Sequence, residues 1–296
     1  MPDRVRVKID ERELELSNLD KVLYPDAGFT KGEVIDYYAR VATVILPHLV
    51  GRPLTRIRFP NGVHQPSFFE KNAPAGTPAW VHRQRLPVPG STMNRETLDY
   101  IVVDDRPTLV WLANLAAIEL HTPQWRLVDG QAGEPDLLVA DLDPGPGAGL
   151  AECSLVAVAA RHRFEMDGLR PFAKTSGKKG MQIVCRLPGG RTSDEVAEYA
   201  REVAEDLERA LPKLVTSRMT KSLRPGKVFF DWSQNAAAKT TVSPYSLRAA
   251  PRPTVSAPFT WEEIEGGRVR PLSPGEVLAR IDEHGDLLGP LVDPSR

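Results

Sequence analysis

The chain opens on an alternation. Val5, Val7 and Ile9, then Leu14 and Leu16, are spaced by polar and charged residues around Asp10-Glu11, the period-two pattern of an antiparallel hairpin with one wet face. The period then lengthens. Thr30-Lys31-Gly32-Glu33 is a capping box, and Val34, Tyr37, Tyr38, Val41 and Ile45 follow at helical spacing until Pro47 helps to end the helix. Short apolar runs predict further strands over residues 54–59, 98–103, 137–143, 181–187 and 228–232. Residues 109–120 and 150–165 predict helices apolar enough to lie on a sheet. Thr192-Ser193-Asp194-Glu195 caps another, whose apolar face carries Val196, Tyr199, Val203, Leu207 and Leu211. Strands and helices mixed in this way predict an α/β architecture. The Pro- and Gly-rich runs 74–78, 87–90 and 250–258 read as surface loops within one domain over residues 1–296, because apolar periodicity resumes soon after each.

Composition narrows the class. With 41% hydrophobic and 26% charged residues the chain is an ordinary globular protein, and no apolar stretch approaches the roughly 20 residues a membrane helix needs. No signal core follows Met1-Pro2-Asp3-Arg4, so a cytoplasmic location is expected. Cys153 and Cys185 lack a zinc-spaced neighbour and read as buried small residues. The net charge of −1 argues against a nucleic-acid partner, but its distribution argues for one. Between Lys213 and Arg252 eight bases, Arg224 among them, face one acid, Asp231, and are interleaved with Ser217, Thr220, Ser222, Ser233, Gln234 and Asn235, which can donate to phosphate and sugar oxygens. A solvated basic face is the alternative.

The chemistry centres on Asp141 and Asp143, one residue apart at the end of an apolar run and therefore on one face of a strand. Two such acids repel unless a divalent cation neutralises them, and hard oxygen ligands suit Mg²⁺ or Mn²⁺ bound together with phosphates. A solvated Asp-x-Asp-Pro-Gly turn is the plainer reading. Asp231, inside an apolar strand, offers either a third carboxylate for a two-metal site or a salt bridge to a neighbouring base. Lys174-Thr175-Ser176-Gly177-Lys178-Lys179-Gly180 has the glycines, hydroxyls and lysines of a triphosphate cradle, yet precedes a strand and so is not a P-loop. His121 reads as a nucleotide contact or as the end of a helix.

Six segments in order resemble the polymerase domain of bacterial DNA ligase D, of the archaeo-eukaryotic primase superfamily. They are Asn18-Leu-Asp-Lys-Val-Leu-Tyr-Pro25, Pro66-Ser-Phe-Phe-Glu-Lys71, Glu119-Leu-His121, Asp141-Leu-Asp-Pro144, Thr175-Ser-Gly-Lys-Lys-Gly180 and Asp231-Trp-Ser-Gln-Asn235. The resemblance runs from about residue 16 to about residue 281 and implies two intertwined α/β modules with a central catalytic cleft. It implies metal binding by Asp141, Asp143 and Asp231, nucleotide contacts from His121, Ser176, Lys179, Gln182 and Arg248, and a 5′-phosphate pocket of Asn18, Lys21 and Lys31. It also implies base stacking by Phe68 and Phe69, for which core packing is the alternative, and DNA contacts from Lys71, Arg224 and Gln234. The loops 83–95 and 218–227 match segments that guide template and primer ends. Gln182 departs from the family, which usually carries histidine there; glutamine still hydrogen-bonds but cannot become cationic. No ligase or phosphoesterase motif is found.

The activity so implied is template-dependent, metal-dependent nucleotidyl transfer, with two Mn²⁺ or Mg²⁺ ions and NTP or dNTP substrates, ribonucleotides preferred. Its setting is gapped or broken DNA bearing a 5′-phosphate, in non-homologous end joining at the nucleoid, with an ATP-dependent DNA ligase and Ku as possible partners. A non-catalytic end-binding module and a metal-dependent nuclease are the rival classes.

Overall fold

The computed structural model describes residues 4–88 and 96–293. Two six-stranded sheets organise it. The first runs in the order Thr241–Val242, Ala117–Thr122, Pro53–Arg58, Thr97–Val102, Arg83–Pro87, with Phe68–Glu70 also paired to Pro53–Arg58. The second runs Val215–Thr216, Val228–Asp231, Leu137–Pro144, Met181–Arg186, Pro171–Thr175, Pro258–Phe259, and only its first pair is parallel. The chain leaves the second sheet after Asp231, donates Thr241–Val242 to the first, and returns as Pro258–Phe259. That exchange interlocks the two sheets.

Helices cover the outer faces. Helix α1 (Lys31–Leu49) starts at the Thr30 capping box and packs on α2 (Arg106–Asn114). Helices α3 (Leu150–Met166) and α4 (Ser193–Ala210, capped by Thr192) lie against the second sheet. One continuous apolar cluster runs through both halves.

Alternation along Leu137–Pro144 decides where the chemistry sits. Leu138, Ala140 and Leu142 join the main core under the helices. The opposite face begins apolar, with Leu137 and Val139 packed beside Val184 and Phe172 under Leu288 and Leu291. Two residues further on it carries Asp141 and Asp143. One strand face is thus a small satellite core at one end and a carboxylate site at the other.

Two expectations are corrected. The apolar run 109–120 is not one helix: α2 stops at Asn114, Ala116 turns the chain with φ 57°, and Ala117–Thr122 is a strand. His121 therefore stands on a sheet and not at a helix end. Pro47 lies inside α1, which continues to Leu49 because His48 and Leu49 are buried and Val50 N–H still reaches Leu46 O at 2.9 Å. Of the loop 83–95, residues 83–87 form a strand and 89–95 lie outside the described residues, as does the end of the 87–90 run.

Candidate active site

The antiparallel ladder assembles the carboxylates. Asp141 pairs in register with Asp231 on one side and with Gln182 on the other, and Gln182 pairs in turn with Lys174. Side chains of directly paired residues share a face, so Asp231, Asp141, Gln182 and Lys174 form one polar row across four strands. One oxygen from each of Asp141, Asp143 and Asp231 lies within 4.8 Å of the others. Burial, then the Asp143 and Asp231 charges, push Asp141 up to about 7 against the opposing hydrogen bond from Gln182. Burial and Asp231 also raise Asp143, against Arg224.

Asp231 forms no salt bridge among the described residues. Its Oδ1 accepts from Ser233 N–H at 3.0 Å and Ser233 Oγ at 2.6 Å, and its Oδ2 from Gln234 Nε2 at 2.8 Å. These neutral donors orient the carboxylate without cancelling its charge. An all-oxygen, repelling set with free lone pairs fits a divalent cation of the Mg²⁺ or Mn²⁺ type.

Across a cavity of about 380 Å³ stands a basic wall built from His121, Ser176, Lys178, Lys179 and Arg248. The 175–180 segment is the turn of the hairpin joining Pro171–Thr175 to Met181–Arg186. Ser176 Oγ accepts from Lys178 N–H at 3.3 Å and Gly180 N–H at 3.2 Å, shaping the turn. Its glycines are required by space: a Cβ on Gly177 would sit 2.6 Å from Arg248 Cγ, and one on Gly180 2.3 Å from Leu142 O.

Beneath this wall lies Glu119, which is almost wholly buried. Lys178 Nζ at 2.9 Å, Arg248 Nε at 3.3 Å and His121 Nε2 at 3.0 Å converge on its carboxylate, which also accepts from Ala249 N–H at 3.0 Å. Burial opposes ionisation, but the His121 hydrogen bond and the Arg248 and Lys178 charges hold Glu119 well below the usual carboxylate range. His121 is lowered, burial being the main cause, so it favours the neutral ring. Arg248 Nη1 further donates to Ser176 O at 2.9 Å. Lys179 lines the same cavity, and among the described residues no carboxylate pairs with it.

Residues 30–288 match the model for the LigD primase-polymerase domain. The chain belongs to the LigD primase-polymerase domain family. It is thereby a nucleotidyltransferase of the primase-polymerase kind. The chain is 47% identical to the multifunctional non-homologous end joining protein LigD of Mycolicibacterium smegmatis over 278 residues, covering 94% of this chain and 36% of that protein. With the bifunctional LigD protein of Bacillus subtilis the identity is 31%, over 92% of this chain and 43% of that one. The chain thus spans well under half the length of these relatives. Among solved structures, the polymerase domain of Mycobacterium tuberculosis ligase D in complex with DNA superimposes with a TM-score of 0.90 at 47% identity, covering 94% of this chain and 98% of that one.

Of the family positions implied to contact DNA, Gln234 lines the cavity and the others do not. In this primase-polymerase domain Asn18, with φ 53°, opens a turn closed by Lys21 N–H on Asn18 O at 3.1 Å, and Lys31 N–H bonds Lys21 O at 2.8 Å. Lys31 Nζ is buried on Ser17 O at 2.6 Å, whereas Lys21 Nζ is exposed and reaches Asn61 Oδ1 at 2.9 Å. Burial and the nearby Lys21 and Arg58 charges lower Lys31 to about 8. Three cations thus converge where, among the described residues, no carboxylate pairs with either lysine. Phe68 and Phe69 are 53% and 63% exposed, so core packing does not account for them. Lys71 Nζ rests on Ala238 O at 3.3 Å. The Arg224 guanidinium lies over the Phe229 ring, 3.8 Å from its centroid, and its Nη2 donates to Met219 O.

The sequence assigns Glu119 no role and offers Lys174 and Lys178 only as lysines of the triphosphate turn. An acid two residues before His121 was the available signal for Glu119. Lys174 was read with the turn that follows it, when it belongs to the strand Pro171–Thr175.

Proposed function

We propose that this domain adds nucleotides, ribonucleotides by preference, to a 3′-OH opposite a template, filling gaps and extending broken ends in non-homologous end joining. The observation that carries this reading is one cavity lined both by Asp141 and Asp143, which cluster with Asp231 behind them, and by a basic wall: the carboxylates fit divalent cations, the wall a triphosphate. Asp141, Asp143 and Asp231 would hold two Mn²⁺ or Mg²⁺ ions, which when bound supply Lewis-acid activation of the primer hydroxyl and stabilisation of the leaving pyrophosphate. Ser176, Lys179 and Arg248 would grip the triphosphate, with Lys178, and Glu119 keeps Arg248 and Lys178 aimed before it arrives. Such preorganised charge costs no rearrangement when negative charge develops. His121, favouring the neutral form, is suited to a hydrogen bond and not to charge neutralisation.

On the DNA side, Asn18, Lys21 and Lys31 suit a 5′-phosphate at the far edge of a gap, and Phe68 and Phe69 suit stacking on bases, worth about 1–3 kcal/mol per base. Lys71, Arg224 and Gln234 would steer the primer and template. A DNA ligase and Ku are the expected partners, with the nucleoid as the site of action. A nuclease needs no triphosphate wall, and a purely end-binding module needs no carboxylate cluster.

The test is primer extension on gapped, 5′-phosphorylated DNA with Mn²⁺ and either NTPs or dNTPs, scoring extension, binding and shortening together. Extension, faster with NTPs, is expected. Binding without extension would instead identify an end-binding module, and shortening a nuclease.

A further inference from the structure

Lys174 is a buried charged side chain near Asp141 that the proposed chemistry does not use. It is 2% exposed, and its Nζ meets three acceptors: Gln182 Oε1 at 2.5 Å, Val242 O at 2.9 Å and Ser256 Oγ at 2.7 Å. Ser256 Oγ spends its own proton on Thr175 O at 3.0 Å, so it can only accept from the lysine. Burial and the Arg248 charge lower Lys174 to about 7 against the attraction of Asp141, yet its three neighbours are all acceptors and match the three protons of the ammonium form, which has no lone pair to offer. Gln182 must therefore turn its oxygen toward Lys174. Its Nε2 then faces Asp141 Oδ1, at 3.1 Å.

That polarity matters because an amide can be built either way round. With the oxygen facing Asp141, two acceptors would meet in a buried place, and the carboxylate would have to turn away or take up a proton. Val242 belongs to the strand that the second half of the chain donates to the first sheet, so the clamp also spans the two sheets.

We propose that Lys174 is a positioning residue for the metal site: by fixing the orientation of the Gln182 amide it secures a donor on Asp141 Oδ1 and leaves Oδ2 directed at the cation. The inference rests on the reading of Asp141 as a metal ligand. Outer partners of metal ligands typically matter by about 10–100-fold in affinity, and the low end is expected here because Gln182 is neutral.

The test is Mn²⁺ binding to the full chain by calorimetry, without DNA or nucleotide, with thermal melting run in parallel. The variants are Asp141→Ala, Lys174→Met, Gln182→Leu, the Lys174→Met/Gln182→Leu double and Ser256→Ala. Lys174→Met and Gln182→Leu should each weaken Mn²⁺ about tenfold, and the double should be no weaker than Gln182→Leu alone, since Lys174 acts through the amide. Ser256→Ala, which removes another lysine partner, should lower Tm and leave Mn²⁺ affinity within about twofold of wild type. Additive losses in the double, or an affinity loss in Ser256→Ala matching that of Lys174→Met, would mean a merely structural lysine and overturn the proposal. Wild-type affinity in Asp141→Ala would sink the underlying metal reading, whereas loss there with full affinity in Lys174→Met sinks this inference alone. Should Lys174→Met fail to fold, Mg²⁺ titration of ¹⁵N-labelled wild type decides: the Lys174 ammonium and Gln182 amide signals should shift together, and an ammonium that does not respond overturns the proposal.

Discussion

Asp231 stands directly opposite Asp141 in the antiparallel ladder, so two carboxylates that repel are brought together by backbone register and not by a loop that can relax. Removing either should therefore disable the site without disturbing its surroundings. Asp141→Ala and Asp231→Ala are expected to lower extension by at least roughly 10²–10³-fold, the scale of losing one preorganised electrostatic group. Affinity for gapped DNA should hold within about threefold, because phosphate contacts come from other residues. Near-normal extension by either variant would refute the assignment.

Acidity gives an independent check on the same cluster. Asp141 sits at about 7 and Asp143 is also raised, so below that range the folded chain holds protons that the unfolded chain has released. The contribution of this cluster to stability therefore falls as pH rises from about 4 toward about 7. A divalent cation must displace those protons. The rise in Tm on adding Mn²⁺ should be larger at about pH 7.5 than at about pH 5.5, with proton release at the lower pH visible by calorimetry in buffers of differing ionisation enthalpy. A Tm rise independent of pH would contradict the protonated state.

Glu119 is expected to matter twice. Glu119→Ala strips the buried partner from Arg248, Lys178 and His121, and should destabilise the fold by about 3–5 kcal/mol, the usual cost of orphaning a buried charge pair. Glu119→Gln is milder and should raise KM for nucleotide several-fold while DNA affinity stays put. Unchanged KM in Glu119→Gln would show that the basic wall keeps its shape unaided.

The two lysines of the 5′-phosphate pocket should separate. Lys21 is exposed, so Lys21→Ala should weaken binding only when the gap carries a 5′-phosphate. Lys31 is buried on Ser17 O, so Lys31→Ala should do the same and also lower Tm. Equal losses on 5′-phosphate and 5′-hydroxyl substrates, compared in a binding titration, would move the pocket elsewhere.

Gln182→His would restore the residue the family usually carries. A cationic imidazole there would speed extension at low pH, but both polar ends of Gln182 are engaged, one by the Lys174 ammonium. A ring in that position would stay neutral, donating to Asp141 and accepting from Lys174. Single-turnover rates between about pH 6 and 8, spanning the ordinary imidazole pKa, should match wild type within about threefold. Acceleration at the acid end would favour the cationic form.

Local chemistry made much of this legible. The Thr30 and Thr192 boxes, the alternation around Asp10-Glu11 and the Asp141–Asp143 spacing all read correctly, because each is decided by neighbours in the chain. Residues 117–120 were misread because a mostly apolar run fits a buried helix or a buried strand equally well, and the break at Ala116 is a backbone conformation with no glycine to announce it. The convergence on Glu119 was beyond reach in another way. Its partners come from residues 121, 178 and 248, and only the folded sheets bring them to one point.

The satellite core behind Asp141 bears on where this fold can be cut. The family match ends at residue 288, yet Leu291 packs with Leu288 over Val139 and Val184, and Tyr245 and His48 hold Asp286 just upstream. A boundary drawn at the end of the match would uncover Val139, two positions along the same strand face from a metal-ligand candidate, and the turn Gly289–Val292 is best regarded as the outer wall of the sheet that carries the carboxylates.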